Sequence, residues 1–184
     1  MIWLYPNDTV FSLGVDATDV AEINALRDLK GSGGDKRYSV VVSGMEMMRQ
    51  YADVTPLAER LAAKFLPGKL TLILNAKGLP KELSDDGTIG MRIPAHDVPL
   101  QLVRKMGRPI TTTSANVSGQ PTLTSVPEIH DQFGDKYYLL KREEEWAMWL
   151  PPSAPSTVVD ARGEVLIIIR AGAIKSEDIA KSVE

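Results

Sequence analysis

The sequence predicts an α/β protein built on a mixed parallel and antiparallel sheet. Short β-branched runs alternate with amphipathic segments along the chain, the pattern of a layered α/β fold. Several strand-like runs stand too close together for a βαβ crossover, so some neighbours are expected to pair antiparallel. No composition shift, repeat or low-complexity tract divides the 184 residues, and that length suits a single domain over 1–184 with a sizeable core.

The elements follow in order. Residues 2–5 and 10–15 read as strands around a Pro-Asn-Asp-Thr break. Asp19 with Glu22 three residues on resembles a capping box, and Val20, Ile23, Leu26 and Leu29 follow at helical spacing. Gly31-Ser-Gly-Gly34 ends that helix. Tyr38 to Val42 is a β-branched strand, and helices follow at 43–51 and 55–66, the second with Thr55 as N-cap and Pro56 at its first position. Leu57, Leu61 and Phe65 are its inward residues. Strands are expected at 70–74 and 88–93. A helix capped by Asp97 then turns Leu100, Val103 and Met106 inward. Residues 109–113 form a strand, and Ser125-Val-Pro-Glu128 is a capping box opening a short helix. Strands at 137–140, 156–160 and 165–169 precede a last helix capped by Ser176, with Glu177 and Asp178 in its first turn.

Composition excludes several chemistries. There is no cysteine, which removes disulfides, thiolate nucleophiles and cysteine metal sites. Only His96 and His130 are present, so a three-histidine metal site is excluded, and both read as structural. The net charge of −3 argues against a broad basic face for nucleic acid, while leaving room for a small anion held by a few placed cations. The start lacks the basic and long apolar regions of a signal peptide, and no segment reaches the roughly 20 apolar residues of a membrane span. The expectation is a cytoplasmic protein with no membrane partner.

Small polar and cationic residues cluster where strands end and loops begin: Asn7 and Thr9; Lys30, Ser32 and Lys36; Thr88 and Arg92; Thr112, Ser114 and Asn116; then Thr122, Ser156 and Arg170. Ligand sites of open α/β sheets lie at such edges. The inventory holds cations, hydroxyls and amides but no nucleophile–base pair. It suits anion binding and charge stabilisation better than covalent catalysis. Gly31-Ser-Gly-Gly-Asp-Lys36 follows a helix and lacks the order of a Walker A loop. Taken alone, Pro6-Asn-Asp-Thr9 is most simply a tight turn.

Ordered blocks change that reading. Tyr5-Pro-Asn-Asp-Thr-Val-Phe-Ser-Leu-Gly14 resembles the YPTDTVYGLG opening of the YrdC-type L-threonylcarbamoyladenylate synthases. Lys30-Gly31 with Lys36 is similar to their K-G-R-P-x-x-K loop, Phe65-Leu-Pro-Gly-Lys-Leu-Thr71 to FWPGPLT, and Gly90-Met-Arg-Ile-Pro94 to G-x-R-x-P. Thr113-Ser-Ala-Asn-Val-Ser-Gly119 matches TSANxSG, while Pro155-Ser-Thr-Val-Val-Asp160 and Ile169-Arg-Ala-Gly-Ala173 resemble PSTVVD and R-x-G. The blocks keep the family's order over nearly the whole chain.

The resemblance implies a twisted mixed sheet flanked by helices, with a large concave cavity. It also implies a nucleotidyltransferase that condenses L-threonine, bicarbonate or CO2, and ATP into threonylcarbamoyl-AMP and pyrophosphate. The product would feed threonylcarbamoyl modification of tRNA adenosine through a downstream transfer machinery. Carried over residue by residue, Asn7, Thr9, Arg92, Thr112 and Ser156 fall on the threonine side. Ser32, Lys36, Thr88, Ser114, Thr122 and Arg170 fall on the ATP side, with Lys30 and Asn116 beside them. Lys30, Lys36 and Arg170 would offset triphosphate charge, with no protein nucleophile. Mg2+ would ride on the phosphates, because no dedicated carboxylate cage is visible and Asp8 and Asp35 read as structural.

The chain departs from the family pattern at five positions. Ser32 stands for Arg and Arg37 for Pro, which suggests a cation moved along the loop; Ser12 stands for Gly, Asn7 for Thr and Lys69 for Pro. Two other readings stay open. One is a domain forming carbamoyl-adenylate from carbamoyl phosphate. The other is a non-catalytic RNA-binding module, for which Lys136 and Lys141-Arg142 would make a modest patch touching tRNA.

Overall fold

The computed structural model describes residues 1–31, 37–140 and 154–182. Ten strands form one mixed sheet among these residues. They are β1 Trp3–Tyr5, β2 Ser12–Gly14, β3 Ser39–Val41, β4 Ala52–Asp53 and β5 Leu70–Ala76. The rest are β6 Thr88–Arg92, β7 Ile110–Ser114, β8 Tyr138–Leu139, β9 Thr157–Asp160 and β10 Ile167–Arg170. The order across the sheet is β10-β9-β5-β6-β3-β7-β2-β1-β8, with β4 pairing β5 off this path. β3 with β6, β5 with β9 and β1 with β8 are parallel; the other pairs are antiparallel.

Six helices flank the sheet: α1 Val20–Leu29, α2 Met45–Tyr51, α3 Pro56–Phe65, α4 Asp97–Met106, α5 Val126–Phe133 and α6 Ser176–Ala180. Their starts follow local chemistry. Thr55 Oγ1 accepts from the Ala58 amide at 3.1 Å, and Pro56 occupies the first position, where its missing N–H costs nothing. The Ser125–Glu128 capping box closes in both directions.

At α1 only half of the expected box forms. Asp19 accepts from Glu22 N, but the Glu22 carboxylate takes the Asp16 amide and the chain's N-terminal amine. Two caps differ from the sequence reading. His96 caps α4, its Nδ1 accepting from Val98 N at 3.2 Å, and Asp97 is the first helical residue. Lys175 is the cap residue of α6 with no side-chain bond, so Ser176 lies inside the helix.

Strand periodicity gives the sheet two unlike faces, because successive side chains point to opposite sides. Leu4, Leu13, Val40, Leu70, Leu72, Ile89 and Met91 enter the main core, together with Ile23 and Leu26 of α1, Leu57 and Leu61 of α3 and Phe133 of α5. Their neighbours in sequence face the other way. There, Tyr5, Val41 and Ile110 form a smaller core with Val98 and Val103 of α4. The remainder of that second face carries Ser12, Ser39, Thr71, Arg92 and Thr112, and it floors a hollow.

Candidate active site

The hollow encloses about 460 Å³. Its floor is a row of small residues set by strand register: Ser12 opposite Ser114, and Thr112 opposite Ser39, which in turn lies opposite Gly90. A Cβ at Gly90 would stand 2.5 Å from Ser39 Oγ and 3.2 Å from Thr71 Cγ2, so a side chain there would crowd the floor. Thus the same period-2 alternation that packs the core on one face leaves short hydroxyl side chains on the other.

Of the residues assigned to the amino-acid side, Thr9, Arg92, Thr112 and Ser156 line the hollow. Asn7 sits just behind them. Its Nδ2 donates to Ser12 Oγ at 3.3 Å and to Thr112 Oγ1 at 3.5 Å, while its Oδ1 accepts from Asp8 N. The departures at 7 and 12 are therefore one hydrogen-bonded pair. Pro6-Asn-Asp-Thr9 is both turn and wall, since Thr9 faces the hollow and Asp8 supports Arg92.

Arg92 is 4% exposed and well held. It pairs with the Asp8 carboxylate, its Nη1 donates to Thr9 Oγ1 at 3.2 Å, and its Nη2 lies 3.4 Å from the Gly68 carbonyl. Asp8 also accepts from Ala95 N at 3.0 Å, so its carboxylate is committed to the protein. The buried Arg92 Nε has no hydrogen-bond partner among the described residues. A buried donor in that state costs free energy until something accepts from it. Burial pulls its pKa down and the Asp8 charge opposes that shift, but a guanidinium stays ionised.

From the nucleotide set, Ser114, Thr122 and Arg170 line the hollow. No carboxylate pairs with Arg170 among the described residues; the partners of its guanidinium are Ser156 oxygens. Burial pulls its pKa down, and its charge acts on Arg92 across the hollow. An anion entering here gains an uncompensated cation.

Lys30, Thr88 and Asn116 are placed differently. Lys30 is 1% exposed, and its ammonium donates to the carbonyls of Ser114 and Asn116 at 2.5 and 2.6 Å. It braces the loop after β7 instead of lining the hollow. Asn116 Nδ2 donates to Val117 O and Gln120 O, closing the same loop. Thr88 Oγ1 donates to Asp86 Oδ1 at 2.7 Å. Ser32 and Lys36, with Asp35 and the Lys141-Arg142 patch, lie outside the described residues.

The lining also includes residues outside the assigned set, among them Ser12, Arg37, Ser39, Thr71 and Thr124. Ser39 and Thr71 carry a signal in the sequence, a hydroxyl residue beside apolar ones in a strand. Arg37 and Ser12 were visible as departures. No group of three or more metal-ligating side chains occurs among the described residues, and Asp8 is already held by Arg92.

A mixed sheet with a polar hollow over one face, lined by arginines and hydroxyls, defines the class: an α/β protein with a candidate anion site. The chain belongs to the Sua5/YciO/YrdC family, whose model, described as "Telomere recombination", matches residues 1–172. The threonylcarbamoyl-AMP synthase of Vibrio vulnificus is 30% identical over 168 residues, covering 89% of this chain and 88% of that protein. That of Pyrococcus abyssi is 30% identical over 182 residues, covering 97% of this chain. This chain spans 52% of the Pyrococcus protein's length. The crystal structure of P. abyssi Sua5 complexed with L-threonine superposes with a TM-score of 0.87 at 29% identity, covering 98% of this chain and 53% of that one. No helix among the described residues is long and apolar enough to cross a membrane.

Proposed function

We propose that this chain is an L-threonylcarbamoyladenylate synthase. The observation that carries the reading is the pairing of two guanidiniums over one hollow, Arg92 countered by Asp8 and Arg170 with no acidic partner among the described residues. Support comes from the names of the relatives and from the threonine complex of the Pyrococcus neighbour.

On this reading threonine lies on the Arg92 side, among the Thr9, Thr112 and Ser156 hydroxyls and near Asn7. The Arg92 guanidinium supplies the charged donors for its carboxylate. ATP lies toward Arg170, Ser114 and Thr122, and its Mg2+ enters with the phosphates as part of the substrate. The amine nitrogen of threonine attacks either CO2, with loss of a proton, or bicarbonate, with loss of water, to give a carbamate. A carbamate oxygen then attacks the α-phosphorus, and pyrophosphate leaves with the electron pair of the broken P–O bond. The protein contributes alignment and charge neutralisation, the terms that dominate such a transfer. Threonylcarbamoyl-AMP is the activated group for a tRNA-modifying acceptor step downstream.

The test is pyrophosphate release in the presence of ATP, Mg2+ and bicarbonate with each amino acid in turn. Release that depends on both threonine and bicarbonate is the expected result. Release that needs carbamoyl phosphate instead would replace this reading with a carbamoyl-adenylate activity.

A further inference from the structure

Arg37 precedes β3, and Asp86 precedes β6. These two strands are parallel, with Ser39 opposite Gly90. Arg37 lies two residues ahead of Ser39, and Thr88 two residues ahead of Gly90, so both start on the face that floors the hollow. Arg37 lines that hollow.

The Arg37 mount is unusual in being rigid on one side and free on the other. Asp86 Oδ1 accepts from Ser84 Oγ at 2.7 Å, from Thr88 Oγ1 at 2.7 Å and from Thr88 N at 3.0 Å. Its other oxygen meets Arg37 Nη2 at 2.8 Å. These donors hold the Asp86 carboxyl well below its usual range, so it stays an anion. The Arg37 side chain, by contrast, is 64% exposed and has no second partner among the described residues. A guanidinium presents donors on more than one edge, so one edge can rest on Asp86 while another reaches a ligand oxygen.

We propose that Arg37, docked on the Ser84–Asp86–Thr88 clamp, is an anion-binding arm of the hollow that grips phosphate oxygens of the nucleotide. This rests on the reading of the hollow as a nucleoside triphosphate site. It gives Thr88 an indirect part: it positions Asp86, and Asp86 positions Arg37. It also places a cation at the hollow in a chain that has Ser32 where its relatives' motif carries an arginine.

The test measures binding of ATP and of inorganic tripolyphosphate by titration calorimetry, alongside threonine-dependent pyrophosphate release. Loss of a charge-assisted bond is expected to weaken both ligands about tenfold in Arg37→Ala. The KM for ATP should rise by the same factor, the KM for threonine should stay within about twofold, and Arg37→Lys should recover part of the loss. Asp86→Asn should shift ATP in the same direction. The double variant Arg37→Ala/Asp86→Asn should bind no worse than Arg37→Ala, because Asp86 acts through Arg37.

Unchanged ATP and tripolyphosphate binding in Arg37→Ala overturns the proposal, as does an equal rise in both KM values. So does additivity in the double variant. Wild-type protein that binds neither ligand overturns it together with the synthase reading. Tripolyphosphate binding that falls in Arg37→Ala, with no threonine-dependent release by wild type, upholds the arm and removes the synthase reading alone.

Discussion

Arg170 is anchored to Ser156 by three hydrogen bonds: Nη2 to the carbonyl oxygen at 2.8 Å, Nε to the same oxygen at 3.2 Å, and Nη2 to the hydroxyl at 3.2 Å. The Ser156 hydroxyl also meets Thr71 Oγ1 at 2.8 Å. One serine thus ties β5, β9 and β10 together at the rim of the hollow. Itself assigned to the amino acid, it bonds to a residue assigned to the triphosphate.

Ser156→Ala removes the hydroxyl links and keeps the carbonyl ones. The loss of a net hydrogen bond worth about 0.5–1.5 kcal/mol should raise the KM for ATP roughly two- to tenfold. The variant should stay folded, as measured by its melting curve. Arg170→Ala should cost more, because the hollow then loses a cation that has no acidic partner among the described residues.

Lys30→Met tests whether the buried lysine braces structure. Its ammonium serves two carbonyls of the loop after β7, and the substitution leaves both without that donor. Stripping a buried charged donor from its acceptors should destabilise the fold by about 2–4 kcal/mol, read from urea denaturation. A variant of wild-type stability that fails only in ATP affinity would return Lys30 to a phosphate-facing role.

Gly172→Ala attacks the site through its backbone. A Cβ at 172 would stand 2.3 Å from the Pro155 carbonyl oxygen and 2.5 Å from the Ser156 carbonyl carbon. Backbone cannot swing aside as a side-chain tip can, so the start of β9 must shift. Overpacking of this kind should cost about 1–3 kcal/mol of stability. Activity should fall with it, since the carbonyl that anchors Arg170 moves too.

Acid should erase the contribution of Asp86. Hydrogen bonds from the Ser84 and Thr88 hydroxyls and the Thr88 amide hold its pKa below the ordinary 3.8. A depressed carboxylate pKa adds stability that is complete above the unfolded-state value and is lost progressively as pH falls from there through the lower folded-state value. Wild type should therefore exceed Asp86→Asn in stability near pH 7, and the gap should close below about pH 4. Denaturant midpoints at several pH values give the comparison. A gap that widened in acid would contradict the clamp.

The parts of this molecule that were legible in the sequence are those decided locally. Thr55-Pro56 and Ser125–Glu128 announce helix starts because the cap and its target lie within one turn. The α4 cap was misassigned to Asp97 because a neutral imidazole can accept from the helix amides as well as a carboxylate can. The half-closed box at α1 was not legible either, since the Glu22 carboxylate is drawn off by Asp16 N. Ordered motifs located most of the lining. They could not say that Lys30 turns inward to carbonyls while Arg37 turns to the hollow, because both are cations in one loop region. That choice is made by what β7 and the turn before β6 bring alongside.

The two unlike faces of the sheet also separate what a protein engineer can change from what must be left alone. Positions 12, 39, 71 and 112 look away from the main core; the first three are flanked by residues packed in or against it, and 112 follows the fully buried Thr111. A library randomising those four alone would explore new cargo on a frame whose cooperativity of unfolding it scarcely touches.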